Sequence, residues 1–236
     1  MNNLSYPHRT QIVFDTSGST SSISFHNGSG SLIGRSTAMS VAHVFWNSGW
    51  TRDARWAPGF DSLDADPSPW GDWYRCYWVT IPMGYVIWGG GTYDYAVLDF
   101  NVGCNSVKNG VNSDRPGNTV GWLGWWVASA ASIQSRTGYI RGYPGASQVC
   151  GNPSKPCRTR VWGDVSTSHV VLGSQIYHNA DTSPGMSGSG FYVYSGGGPY
   201  LVGMHRAAGP GSAQYNLARR FSSAVYSFMR GASSDY

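Results

Sequence analysis

Short apolar runs separated by clusters of Gly, Asn, Asp, Ser and Pro recur along the chain: QIVF at 11–14, SISF at 22–25, SLI at 31–33, TAMSVA at 37–42, YWVTI at 77–81 and YAVLDF at 95–100. After a turn-rich segment at 105–117 the rhythm resumes with TVGWL at 119–123, GYIRGY at 138–143, RVWGDV at 160–165, SQIYH at 174–178, GFYVY at 190–194 and YLVGMH at 200–205. Runs this short, bounded by turn residues, predict an antiparallel sandwich or barrel rather than a parallel sheet. One segment departs from the pattern. From Asn216, the residues Leu217, Phe221, Val225 and Phe228 are spaced by three or four, which predicts a C-terminal helix with Asn216 as N-cap and Gly231 as stop. The reading is an all-β body in two halves, 1–112 and 113–236, joined through 105–117 and closed by one helix.

Composition narrows the class. With 236 residues, 41% hydrophobic and only 12% charged, the chain can bury a core, which excludes a disordered, collagenous or coiled-coil protein. The net charge of +4 comes from scattered Arg, with no basic stripe for nucleic acid, and no apolar run reaches the length of a membrane span. No apolar stretch follows a basic start in the first thirty residues, so the chain reads as a mature form or an intracellular one. Four cysteines allow three pairings, and none has the CxxC spacing of a zinc or redox centre. Cys150 and Cys157 bracket the turn-rich GNPSKP, a short disulfide loop that would leave Cys76 with Cys104. Disulfides would mean an oxidising compartment and secretion. All twelve acidic residues are Asp, none is Glu, and only Lys108 and Lys155 are Lys.

The strongest local signal is DTSPGMSGSG at 181–190, a serine in a glycine-rich turn where backbone N–H groups can converge as an oxyanion hole requires. Alone it reads as a turn, just as His43 after TAMSVA reads as a packed residue and Asp94 before YAVLDF as a turn cap. Their conjunction, in the order His, Asp, Ser, points to nucleophilic catalysis.

These residues resemble the chymotrypsin-fold serine proteases, and in detail the glutamyl endopeptidase branch related to the staphylococcal V8 protease. The resemblance is carried by GSGSLIGRSTAMSVAHVF around His43, YDYAVLDF around Asp94, GNTVGWLGW at 117–125, RGYPG at 141–145, DTSPGMSGSG around Ser187 and LVGMHRAAG at 201–209. It implies two six-stranded antiparallel β-barrels, with His43, Asp94 and Ser187 meeting between them and the N–H groups of Gly185 and Ser187 forming the oxyanion hole. It also implies that Thr182 and His205 line a pocket for an acidic P1 side chain, Glu before Asp, and that Ala207 and Ala208 flank the substrate. The enzyme would be a secreted monomer acting on protein or peptide substrates, with no cofactor, metal, nucleic-acid partner or membrane.

Several positions depart from the branch's pattern. Pro184 replaces a glycine, Arg206-Ala207-Ala208 stand where glycines are common, and Met186 precedes the nucleophile, which removes the acid that pairs with a new amino terminus in trypsin-like zymogens. Asp181 lies where cation-specific proteases keep a pocket-floor acid, which supports an alternative P1 preference for Arg or Lys. A second alternative is a non-catalytic protein- or carbohydrate-binding β-protein, because aromatic residues are 14% and runs such as WGDWYRCYW and GWLGWW can stack on sugars. Asp61, Asp64 and Asp66 lack the glycine and glutamate of an EF-hand.

Overall fold

A computed structural model describes residues 10–17, 24–46, 49–50, 55–59, 73–74, 78–101, 115–144, 161–209 and 215–236. All four cysteines, Asp61, Asp64, Asp66 and most of WGDWYRCYW lie outside the described residues.

Fifteen strands form two sheets among the described residues. The first contains β1 (Thr10–Ser17), β2 (Ser24–Leu32), β3 (Thr37–Ser40), β4 (Arg55–Pro58), β5 (Trp73–Tyr74), β6 (Trp78–Thr80) and β7 (Ala96–Asp99), ordered β5-β4-β1-β2-β3-β7-β6. The second contains β8 (Gly124–Trp125), β9 (Gly138–Gly142), β10 (Trp162–Ser166), β11 (His169–Leu172), β12 (Gln175–His178), β13 (Gly190–Ser195), β14 (Gly198–Ala208) and β15 (Asn216–Arg220), ordered β10-β9-β13-β14-β15-β12-β11. Pairing is antiparallel except where β8 runs parallel to β14. The all-β, two-sheet architecture expected from the sequence is present, with seven and eight strands in place of six and six.

The period-2 geometry of a strand explains why YAVLDF is apolar nearly throughout. Ala96 and Leu98 face a core shared with Leu32, Ala38 and Trp56 inside the first sheet. Tyr95 and Val97 face the opposite way, into a second core with Met39, Leu201, Met204 and the C-terminal helix. Phe191, Val193 and Val202 fill a third core inside the second sheet. The middle core draws on both sheets and is the apolar joint between them.

The helical content differs from the sequence expectation. The C-terminal helix runs Ser223–Ala232, with Ser222 as N-cap accepting from the Val225 amide, not from Asn216. Residues 216–220 form β15, because their backbone groups complete the ladders of β12 and β14. Gly231 lies inside the helix rather than ending it. Three short helices were not anticipated: α1 (Met83–Trp88), α2 (Pro116–Val120) and α3 (Ala130–Gln134), which makes the C-terminal helix α4. TVGWL is not a strand. Pro116 at the first turn of α2 supplies a preset helical φ and lacks only an N–H that would be unpaired there. Within GWLGWW, Trp125 packs on Phe221, Tyr226 and Tyr236, and Arg136 lies over Trp126, so these two rings brace the body.

Candidate active site

His43 sits in a 3₁₀ turn, Ala42–Val44, entered directly from β3. Ala42 and Phe45 are fully buried on either side of it, so the turn is anchored in the first core while the imidazole stays partly exposed. Asp94 lies just before β7, at the end of a loop that Gly89 and Gly90 turn with φ of 61° and 81°. One Asp94 oxygen, Oδ1, accepts from the His43 amide at 3.0 Å, and the other, Oδ2, meets His43 Nδ1 at 2.8 Å. Two bonds to one residue fix the ring's position and orientation. With Asp94 ionised, Nδ1 carries the proton and Nε2 is left as a base. Burial, at 3% exposure, works to raise the Asp94 pKa. The hydrogen bonds and charge of His43, with the nearby Arg206 charge, outweigh burial and hold the carboxyl below its usual value.

Ser187 lies between two turns closed by Met186 N–H to Ser183 O at 3.1 Å and Ser189 N–H to Met186 O at 2.9 Å. Glycine is needed on both sides. Gly185 and Gly188 have φ of 95° and 87°, and a Cβ on Gly188 would collide with Ser29 O and Ser40 Oγ. The turn is tied to both sheets: Ser29 N–H donates to Ser187 O at 2.7 Å, and Gly188 N–H donates to His205 O at 2.8 Å. Among the described residues, the N–H groups of Gly185 and Ser187 have no acceptor. They are thus available to an incoming oxyanion. Ser187 Oγ makes no hydrogen bond to His43.

Ser29 is a residue the sequence reading did not single out. It is fully buried on β2, and its Oγ donates to Gly185 O at 3.2 Å and accepts from Tyr143 N–H at 2.9 Å. Its carbonyl accepts from Ser40 Oγ at 2.7 Å. Ser29 thereby links the strand leading to His43, the nucleophile turn and the RGYPG segment.

Thr182 lines a cavity of about 320 Å³ together with Pro144, Trp162, Asp164, Asp181, Ser183 and Met186. His205 is not in that lining. It is 3% exposed on β14, with Nδ1 3.3 Å from Nε2 of the fully buried His178. His178 lies opposite His169 in the β11–β12 ladder, and His169 Nε2 donates to Ile133 O at 2.9 Å. Burial, reinforced by the His169 charge, lowers the His178 pKa to about 4. Burial, with the charges of His178, His43 and Arg206, holds His205 well below the usual histidine value. Both rings are neutral near pH 7. In the sequence, His178 and His169 lack a local context like those around His43 and His205. The alternating patterns HVVL and QIYH, each placing a histidine on the buried face, were the available signal.

At the end of β14 the register slips between His205 and Ala207, leaving Arg206 in a β-bulge. Ala207 and Ala208 then pair with Leu217 and Asn216, with Ala208 exposed. Asp181 is exposed, and its amide donates to Asp164 Oδ2. Met186 is buried with Ile140 and Ala180.

The backbone is that of the chymotrypsin-like two-barrel fold. It superimposes on a Glu endopeptidase solved in complex with MPD with a TM-score of 0.74 and 20% identity, covering 98% of this chain and 94% of that one. Protease Anisep from Arthrobacter nicotinovorans matches with a TM-score of 0.72 and 16% identity, over 95% of each chain. The thermostable serine protease AL20 from an extremophilic microorganism matches with a TM-score of 0.69 and 15% identity, over 97% and 98%.

No family model matches the chain. Among curated proteins, the Extracellular metalloprotease of Bacillus subtilis (strain 168) is 23% identical over 225 residues, or 94% of this chain, which spans 63% of that protein's length. Among the described residues, no group of three or more His, Cys, Asp or Glu is arranged to hold a metal ion.

Proposed function

We propose that this protein is a secreted serine endopeptidase with barrels 1–112 and 113–236, and that it cleaves peptide bonds through an acyl-enzyme on Ser187. Ser187 Oγ attacks the scissile carbonyl while His43 Nε2 takes its proton; the carbonyl oxygen becomes an oxyanion held by the N–H groups of Gly185 and Ser187. His43 returns the proton to the leaving amine, and a water then cleaves the ester by the same steps. Asp94 orients the imidazole and stabilises the imidazolium. The observation that carries the reading is the double contact of Asp94 on His43, at 3.0 and 2.8 Å, beside a serine turn with two unclaimed N–H donors.

The preferred P1 side chain is acidic, Glu before Asp. His205 supports this reading by its tautomer. His178 Nδ1 is buried without a partner, which costs less as a bare lone pair than as an N–H. The proton of His178 then sits on Nε2 and donates to His205 Nδ1, leaving His205 Nε2–H as a donor for a carboxylate. A chain without Glu is also protected from its own cleavage. A second reading, P1 Arg or Lys, is favoured by Asp164 and Asp181 in the cavity beside Thr182.

Cleavage-site mapping of a mixed peptide library separates the two. Cuts after Glu that disappear in Ser187→Ala and persist in a chelator are expected. Cuts after Arg or Lys would establish the second reading, and cuts retained by Ser187→Ala would remove the mechanism.

A further inference from the structure

Oδ2 of Asp94 has a second partner besides His43: Arg206 Nε, at 3.4 Å. The arginine comes from the second sheet, while His43 and Asp94 belong to the first. The β-bulge at Arg206 explains how it gets there. An extra residue in β14 breaks the in–out alternation and turns a side chain that would lie along the strand toward the loop preceding β7. The loop is shaped to receive it. A Cβ on Gly91 would overlap the guanidinium carbon and Nη1 of Arg206, so the head group rests directly on a glycine backbone. The same loop is held one residue further on by Arg219 Nε, which donates to Thr92 O at 2.7 Å. The side chain of Arg206 is only 20% exposed and that of Asp94 5%, so solvent screens the pair weakly.

We infer that Arg206 is a positioning residue for the catalytic aspartate, supplying a permanent counter-charge across the joint between the two sheets and extending the enzyme's working range toward acid pH. The inference rests on the triad proposed above. In the resting site His43 must be neutral to act as a base, and a buried Asp94 would then be a carboxylate with no cation beside it. Arg206 provides that cation at every stage of the cycle. When the imidazolium forms, it shares Oδ2 with a guanidinium, so removing the guanidinium leaves the Asp94 carboxylate to the imidazolium alone. The groups facing this carboxylate are His43 from the 3₁₀ turn, Arg206 from β14 and Tyr85 from α1. Burial and the Asp94 charge push the Tyr85 phenol up to about 12, so Tyr85 stays neutral and does not titrate alongside the others.

The test is the pH profile of kcat/KM for one peptide substrate, normalised to active sites counted with a serine-reactive phosphonate, in the wild type, Arg206→Met and Arg206→Lys. Removing the charge is expected to move the acid limb to higher pH by about half a unit. In the same variant KM should change by less than about twofold. Arg206→Lys, which keeps the charge, should hold the limb near its wild-type position. A residue that merely braced the Gly91 loop would lower the count of active sites and leave the limb where it was. An unmoved limb in Arg206→Met overturns the inference, and Arg206→Gln carries the same test if the methionine variant does not fold. A wild-type protein that reacts with no phosphonate and cleaves no peptide would instead defeat the triad reading itself.

Discussion

Two aspartates tie the halves of this molecule together, Asp94 at the cleft and Asp235 at the far end of the chain. Asp235 follows α4 and accepts from the Ser36 amide at 2.6 Å, the Ser36 hydroxyl at 2.6 Å and the Thr37 hydroxyl at 2.9 Å. Its neighbours join the same clasp: Ser234 donates to Asp99 through its amide and hydroxyl, and Tyr236 donates to Ile33 O. Asp94 is held by as many contacts, but beside one amide its partners are an imidazole and a guanidinium. The difference lies in the partner. A carboxylate satisfied by amides and hydroxyls is a fixed strap, whereas one satisfied by a group that gains and loses a proton can take part in catalysis.

Exchanging oxygen for nitrogen at each site tests that contrast most strongly. Asp94→Asn should lower kcat/KM by about 10⁴-fold in a folded protein, because the amide no longer selects the productive imidazole tautomer. Asp235→Asn should leave kcat/KM within about twofold of wild type in the same assay. A large catalytic loss in the second variant would erase the distinction between clasp and catalytic site.

The buried histidines give a smaller effect with a defined sign. His178 titrates near 4 when folded, and His205 also lies below 6.5. The unfolded chain therefore binds more protons, and stability is fully present above about pH 6.5 and falls as pH drops toward 4. For His178 the loss approaches about 3 kcal/mol, measurable as denaturant midpoints across that window. His178→Asn should flatten the slope, whereas Asp235→Asn should leave it in place. Asp235→Ala, which abandons three hydrogen bonds near Ser36, should cost about 2 kcal/mol at neutral pH. The smallest effect belongs to the N-cap of the helix that carries the clasp. Ser222→Ala should cost about 1 kcal/mol by thermal melting and leave catalysis unchanged.

The sequence made much of this visible, and the misses share a cause. His43, Asp94 and Ser187 stand out because each sits in a local pattern of small and apolar residues that fixes its own turn. Arg206 had no such mark. Its partner lies 112 positions away, and its side chain is aimed by a bulge that appears only once β14 meets β15. Ser29 was hidden in the same way, as a serine among others until the nucleophile turn packs on it. Leu217 and Phe221 lie at helical spacing, yet Leu217 is in a strand, because sheet pairing outweighs periodicity where both ladder partners are present. β9, β10, β12, β13 and β14 were legible because their apolar runs are bounded by turn residues. β11 and β15 escaped because HVVL and NLARR carry polar residues on a face that other elements cover.

The central claim, that Ser187 is a nucleophile activated by His43 and Asp94, is tested most directly by intact-protein mass spectrometry after exposure to a diphenyl phosphonate ester bearing a Glu-like side chain. A single covalent adduct, mapped to Ser187, is expected to form in the wild type, to form far more slowly in Asp94→Asn and to be absent in Ser187→Ala. An adduct on another residue, or no adduct on a protein that still cleaves peptides, would contradict it.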